Sequence, residues 1–313
     1  MRLQDQRSLS RCLRPPYLCA GDTVALVAPA RKISLEEVRP AIQWLQSAGF
    51  KVKQGKHLFA EANQYAGSDK QRANDMQEMI DSEEVKAILC ARGGYGTVRV
   101  IDKINFSPLR ENPKWLCGYS DITALHAHLY SHLHLATIHS TMPLNITSSI
   151  IQTPTCTTLL DALTGQNLMY SFPAHPCNRS GEATGTLVGG NLSVLYSILG
   201  SSSDFHTDNT ILFLEDTDEY LYHIDRMMVN FKRTGKLSRL AGLVVGGMSR
   251  MNDNSIAFGK NAQEIIAEHC RDYSFPLCFN LPVGHQPDNR ALRLGTPASL
   301  VVNENNSTLI MNP

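Results

Sequence analysis

Lys114-Trp115-Leu116-Cys117-Gly118-Tyr119-Ser120-Asp121-Ile122-Thr123 is the stretch whose reading decides the architecture. Its first half is an apolar run of the kind that forms a strand buried on both faces. It breaks at Gly118 and leads into a helix expected over Asp121 to Leu133. A strand that turns directly into a helix is the repeating unit of a parallel sheet covered on both sides.

The same unit recurs upstream. Thr23 to Pro29 is a short β-rich run, and Ser34-Leu35-Glu36-Glu37 is a capping box with Ser34 as N-cap. The helix it opens ends near Ala48, with Gly49 as its left-handed stop. Val52 to Leu58 reads as a strand and Ser68 to Ser82 as a polar helix. Lys86 to Ala91 is a further strand, ending at Arg92-Gly93-Gly94-Tyr95-Gly96 before a helix expected from about Thr97 to Ile104. Ala136 to Ser140 adds one more strand.

Downstream, Asn145 to Gly185 is rich in Thr, Ser, Pro and Asn and reads as a linker with some helix near Leu159 to Leu163. A second alternating region begins at Gly185. It holds strands near Ile211 to Glu215, Gly242 to Gly246 and Leu277 to Val283, and helices over Tyr220 to Arg233 and Asn261 to Cys270. Ala298 to Asn303 and Thr308 to Met311 form a closing hairpin. At 313 residues the chain exceeds the size at which one core stops growing. The expected division is a mobile N-terminal extension (1–18), a first α/β domain (19–145), a linker (146–184) and a second α/β domain (185–313).

Bulk properties exclude several classes. Lys plus Arg and Asp plus Glu both total 29, so no global field draws the chain to nucleic acid or anionic lipid. No apolar stretch approaches the roughly 20 residues of a membrane helix. The first residues carry Arg2, Arg7, Arg11 and Arg14 without an apolar segment, so no secretory signal is expected. The eight cysteines contain no C-x-x-C pair and read as reduced thiols of a cytoplasmic protein.

Three strand ends carry residues with nucleophilic chemistry in view. Ser120 follows Gly118 at a strand-to-helix turn, where a hydroxyl can be exposed and the amide of Asp121 aimed at a carbonyl. It equally suits a helix cap. Glu215 and Asp216 leave the apolar Phe213-Leu214; Glu215 is a candidate orienting acid, while Asp216 and Asp218 suit helix caps. His285, after Pro282-Val283-Gly284, is a candidate general base or a structural histidine. The Arg92-to-Gly96 turn serves chain reversal or, with glycines that let a substrate approach closely, donates an amide to an oxyanion. His126, His128, His132 and His134 lack the H-E-x-x-H pattern and read as packed or solvated, with no metal expected. Arg226, Arg290 and Arg293 are surface ion-pair residues by default and binders of a substrate carboxylate by the sharper reading.

Taken in order, these motifs resemble the LD-carboxypeptidase (muramoyltetrapeptide carboxypeptidase) family of serine peptidases. The matching stretches are Gly21-Asp22-Thr23 through Ala30, Ala91 to Gly96, Gly118 to Thr123, Gly185 to Leu192, Leu214-Glu215-Asp216 with Ile224 to Met227, and Gly284-His285. The resemblance implies Ser120 as nucleophile, Glu215 as acid and His285 as base. It further implies an oxyanion hole from Asp121 and a glycine of the Arg92-to-Gly96 loop, Gly94 first and Gly93 close behind. The implied fold is α/β throughout: an N-terminal flavodoxin-like or glutamine-amidotransferase-like parallel sheet and a C-terminal swivelling α/β domain. The implied activity needs no cofactor: a cytoplasmic homodimer hydrolyses the bond between an L-centre and terminal D-Ala in murein tetrapeptides, for peptidoglycan recycling. Two alternatives stand beside it. One is the same mechanism on aminoacyl-nucleotide conjugates, as in the related microcin-immunity peptidases; the other is a non-catalytic peptide binder.

Overall fold

The structure, a computed structural model, describes residues 12–313. Its first half supplies five parallel strands, β1 (Thr23–Val27), β2 (Lys51–Gln54), β3 (Val85–Cys90), β4 (Trp115–Gly118) and β5 (Thr137–His139). Three long helices run between them: α1 (Leu35–Ser47), α2 (Asp69–Asp81) and α3 (Thr123–Leu133). The expected capping box is present, with the Ser34 hydroxyl accepting from the Glu37 amide and the Glu37 carboxylate from the Ser34 amide. Period-two alternation splits β1 between two cores. Val24 and Leu26 pack with α1, while Ala25 and Val27 pack with α2 and α3. Burying an aliphatic side chain of this size is worth roughly 1.5–3 kcal/mol, so both faces must be covered for the sheet to persist.

The second half contributes helix α4 (Pro154–Thr164), strands β6 (Leu168–Pro173) and β7 (Gly181–Asn191), α5 (Leu192–Ser197), β8 (Thr210–Thr217), α6 (Leu221–Arg233), β9 (Gly242–Ser249), α7 (Ala262–His269), β10 (Leu277–Cys278), β11 (Leu292–Leu294), β12 (Pro297–Val302) and β13 (Asn306–Met311). Among the described residues the strands form two sheets. One is ordered β11-β5-β4-β3-β1-β2, the other β10-β9-β8-β7-β12-β13-β6. β7, β8, β9 and β10 pair in parallel, and β12 and β13 form the closing antiparallel hairpin. Helices α5, α6 and α7 cover one face of this sheet through Leu212, Leu214, Leu243 and Val245. Its other face (Leu187, Ile211, Phe213, Val244) joins the core of the first half. One continuous apolar cluster therefore binds the halves together.

Several expectations need correction. The stretch read as a linker carries its expected helix as α4, but it also holds β6, which pairs antiparallel with β13 over Leu168 to Pro173. Its side chains alternate buried and exposed, a half-buried edge strand hidden in a Ser- and Pro-rich composition. Residues 292–294, assigned to the second domain, close the first sheet as β11, antiparallel to β5. The helix expected at Thr97 to Ile104 is two 3₁₀ turns, Thr97–Arg99 and Ile101–Lys103. The strand expected over Leu277 to Val283 stops at Cys278, because Asn280 takes a left-handed conformation (φ 71°) and Pro282 has no amide to donate. Of the expected N-terminal extension, residues 1–11 lie outside the described residues. Residues 12–18 are packed: Leu13 bridges Leu135, and Tyr17 stacks on Trp115, whose indole donates to the Pro16 carbonyl. Among the described residues no helix is long and apolar enough to cross a membrane.

Candidate active site

Sheet order brings the first set of site residues together. β4, β3 and β1 are neighbours, and their carboxyl ends lead to Ser120, to Gly93 and Gly94, and to Arg31. The carboxyl edge of a parallel sheet is where the loops are free to meet a ligand. Ser120 sits there with φ 64°, left-handed, a conformation costly for a residue with a Cβ. It starts a 3₁₀ turn (Ser120–Ile122) that runs into α3, and no side-chain cap bond is made at either N-cap. The helix-cap alternative for Ser120 therefore has no hydrogen bond behind it. Gly93 lies directly against it: a Cβ there would stand 3.1 Å from Ser120 Cβ and 3.3 Å from Oγ.

Two buried side chains fix this loop. Asp121 accepts the Thr97 amide at 2.8 Å, tying the Arg92-to-Gly96 turn to the serine turn. Burial raises its pKa despite the opposing hydrogen bonds from Thr97 and the charge of Arg72. Arg72, on α2 and fully buried, donates to the carbonyls of Pro29 at 2.5 Å and Gly96 at 3.0 Å. Both bonds come from Nη1, while Nη2 turns to the Asp69 carboxylate, so one planar guanidinium ties three acceptors together.

The second sheet supplies the acid and the imidazole. Glu215 is fully buried near the end of β8, on the face shared with the first half. Its Oε2 accepts from His285 Nδ1 at 2.7 Å and from the His285 amide at 3.2 Å. Residues 281–283 run beside β9, with the Leu281 amide on the Val245 carbonyl and the Gly247 amide on that of Val283, which delivers His285 to Glu215. Gly284, at φ 109°, is needed for this approach, since a Cβ there would sit 2.7 Å from Glu215 Oε2. Burial alone would lower the His285 pKa. The Glu215 hydrogen bond and charge, with Asp216 adding to them, outweigh burial and hold it above the usual histidine value. Glu215 Oε1 is buried and, among the described residues, has no partner, so His285 carries the compensation for that buried carboxylate.

Asp216 points the other way. It accepts from Asn191 Nδ2 at 3.0 Å and from the Ser193 amide at 2.8 Å, at the start of α5 rather than of α6. Burial, then the charge of Glu215, push its carboxyl up to about 7. The two halves are also pinned directly, by the Asn191 amide donating to Thr123 Oγ1 at 3.0 Å.

Ser120, Gly93, Gly94 and His285 all line one cleft of about 520 Å³ between the halves. The Tyr119 ring packs 4.8 Å from the His285 ring. Among the described residues Ser120 Oγ makes no hydrogen bond to His285. Arg226 and Arg290 do not line the cleft. Arg226 is exposed on α6 over Tyr222, and Arg290 is held by Asp288 and over Tyr170. Arg293 is buried and donates to the carbonyls of Asp161, Ala162 and Gln166, capping the end of α4. His126 bonds the Gly118 carbonyl and His128 bonds Ser203, while the His128 and His132 rings lie 4.2 Å apart, tilted by 36°. The cations at the cleft are instead Arg31, Arg92 and Arg250, joined by Asp218. Arg250 directly follows the end of β9 and Arg31 lies in the loop that leaves β1, both at the carboxyl edge of a parallel sheet, the signal by which the sequence could have marked them.

Comparison with known proteins gives this arrangement its relatives. Residues 24–140 match the LD-carboxypeptidase N-terminal domain and residues 184–300 the LD-carboxypeptidase C-terminal domain. A probable murein peptide carboxypeptidase of Bacillus subtilis is 33% identical over 290 residues, 92% of this chain and 91% of that one. The crystal structure of a muramoyltetrapeptide carboxypeptidase from Oxalobacter formigenes superposes with TM-score 0.84 at 25% identity, covering 93% of this chain and 99% of the other. A MccF-like protein from Bacillus anthracis str. Ames superposes with TM-score 0.83 at 25% identity, over 96% and 100% of the two chains, MccF being the microcin C7 self immunity protein. With both domains matched in order and a relative of this identity along nearly the whole length, the chain belongs to the LD-carboxypeptidase family.

Proposed function

We propose that the cleft hydrolyses the amide between an L-centre and a terminal D-Ala in murein tetrapeptides, with Ser120 as nucleophile, His285 as general base and Glu215 as its orienting acid. The observation that carries this reading is the 2.7 Å bond from His285 Nδ1 to the fully buried Glu215, made on the wall of the cleft that also exposes Ser120. A neutral imidazole that donates from Nδ1 keeps its lone pair on Nε2, the nitrogen left to take the serine proton. Serine and imidazole close to hydrogen-bond distance when substrate fills the cleft, as catalytic contacts that are long in a free enzyme commonly do.

The steps follow. Ser120 Oγ attacks the carbonyl as His285 accepts its proton. The amides of Asp121 and Gly94, or Gly93, neither spent on another described group, receive the oxyanion, each worth about 2.7–4 kcal/mol. His285 then protonates the departing D-Ala nitrogen, and water releases the acyl group. Removal of a C-terminal residue calls for a cation to hold its carboxylate. Arg31, exposed at the cleft rim beside Gly94, supplies one. The cytoplasmic location and homodimer implied by the family resemblance belong to the same reading.

The direct test is release of D-Ala from a purified murein tetrapeptide. The wild-type protein yields tripeptide and free alanine, and a folded Ser120→Ala protein does not. An unchanged rate in the variant contradicts the assignment. The likeness to the MccF-like protein supports a second reading, the same chemistry on aminoacyl-nucleotide conjugates. A side-by-side hydrolysis panel of both substrate classes separates the two.

A further inference from the structure

Strands β8 and β9 pair in parallel up to Thr217 and Ser249, and their chains meet again at the Tyr220–Asn252 bridge. In the step between, both chains turn left-handed at a residue with a side chain, Asp218 (φ 62°) and Arg250 (φ 52°). For arginine this backbone state is uncommon. It is held here by a set of local bonds. The Asp218 amide donates to the Ser249 carbonyl at 3.0 Å, Ser249 Oγ to Thr217 Oγ1 at 3.0 Å, and Arg250 Nη2 to the same hydroxyl at 3.2 Å. Asn252 Nδ2 holds Asp218 Oδ1 at 3.1 Å. Both side chains line the cleft that holds Ser120 and His285. Among the described residues neither is in a salt bridge, with each other or with any third group.

Two opposite charges mounted side by side without neutralising one another match a ligand group that carries both signs. We infer that Asp218 and Arg250 together recognise an amino-acid head group, an ammonium and a carboxylate on one carbon, at the end of the substrate's scissile-residue side chain. A diaminopimelate residue ends in such a group, whereas a lysine ends in an ammonium alone and engages only Asp218. The inference rests on the carboxypeptidase reading above and adds to it the determinants of side-chain choice. Arg31, on the opposite wall, remains for the terminal carboxylate.

Three tetrapeptides differing only at this residue test it: diaminopimelate, diaminopimelate amidated at its side-chain carboxylate, and lysine. For wild type, kcat/KM for the acid exceeds that for the amide and for lysine by roughly tenfold, the worth of one charge-assisted hydrogen bond. Arg250→Gln brings the acid-to-amide ratio close to one, and Arg250→Lys restores part of it. Asp218→Asn lowers all three peptides and leaves that ratio standing. A wild type with no preference, or an Arg250→Gln that lowers all three peptides equally, overturns the inference; the second result assigns Arg250 to the terminal carboxylate. Calorimetric binding of the three peptides to Ser120→Ala separates two failures. Ordered binding without hydrolysis by wild type strikes the reaction and supports the receptor, and hydrolysis with unordered binding strikes the receptor alone.

Discussion

The two walls of the cleft prepare their groups by different physics. On the first-sheet wall the device is backbone strain: Ser120 is held at φ 64° on a tight turn, with Gly93 packed behind it and amides left open. On the second-sheet wall the device is desolvation: Glu215 is taken fully out of water and given one strong partner, His285. Strain fixes direction but leaves the hydroxyl chemically ordinary. Desolvation makes an unpaired carboxylate expensive, so the imidazole is both oriented and raised in proton affinity. The cleft needs both, since an aimed hydroxyl without a base is inert and a poised base without a nucleophile has nothing to activate.

Removing either device tests the contrast. Ser120→Ala takes away the nucleophile, and turnover is expected to fall by at least roughly 10³-fold, read as alanine release. Glu215→Gln keeps the shape of the acid and loses its charge. A loss of kcat of about 10³–10⁴-fold is expected, with KM little moved. Gly284→Ala sets a Cβ against Glu215 at a positive φ, so His285 is pushed off line. Turnover should fall about 10²-fold and stability by about 1–3 kcal/mol, read by denaturant melts.

Protonation gives a subtler version of the same contrast. His285 acts as a base only when neutral, so kcat/KM declines as pH falls through a midpoint above the usual histidine value. Stability runs the opposite way. The folded state binds this proton more tightly than the unfolded chain, so the contribution is complete below the ordinary histidine pKa and is lost as pH rises through the raised one. In Glu215→Gln burial acts without its main counterweight, and the kinetic midpoint should move down. A midpoint that stays put in the variant would assign the acid limb to another group. The smallest effect concerns the strained wall: Ser120→Gly should be more stable than Ser120→Ala by about 1 kcal/mol, because only glycine relaxes at that φ.

Much of this was legible in the residues. The Lys114-to-Thr123 stretch announced strand, turn and helix, and the Ser34 capping box announced the start of α1. What stayed hidden depended on partners distant in sequence. β6 alternates correctly, but its pairing with β13 spans most of the second half. β11 is three residues long and is recognisable only beside β5. Asp216 looked like a cap for the helix after it and is bonded instead to Asn191 and Ser193 before it. Arg226 and Arg290 were attractive as cations near the motifs, yet side-chain direction and local partners keep them off the cleft wall. Periodicity reports which face of an element is buried, and it is silent about which loop end a cation will reach.

The central claim is that Ser120 and His285, carried by different sheets, act on each other across the cleft. The most direct measurement is the rate at which a serine-reactive phosphonate labels the folded protein, followed by peptide mass mapping, in wild type and His285→Ala. The account predicts a single adduct on Ser120, formed faster as pH rises through the His285 transition and at least roughly 10²-fold slower in the variant. Labelling at another residue, no labelling of a well-folded protein, or an equal rate without the imidazole would contradict it.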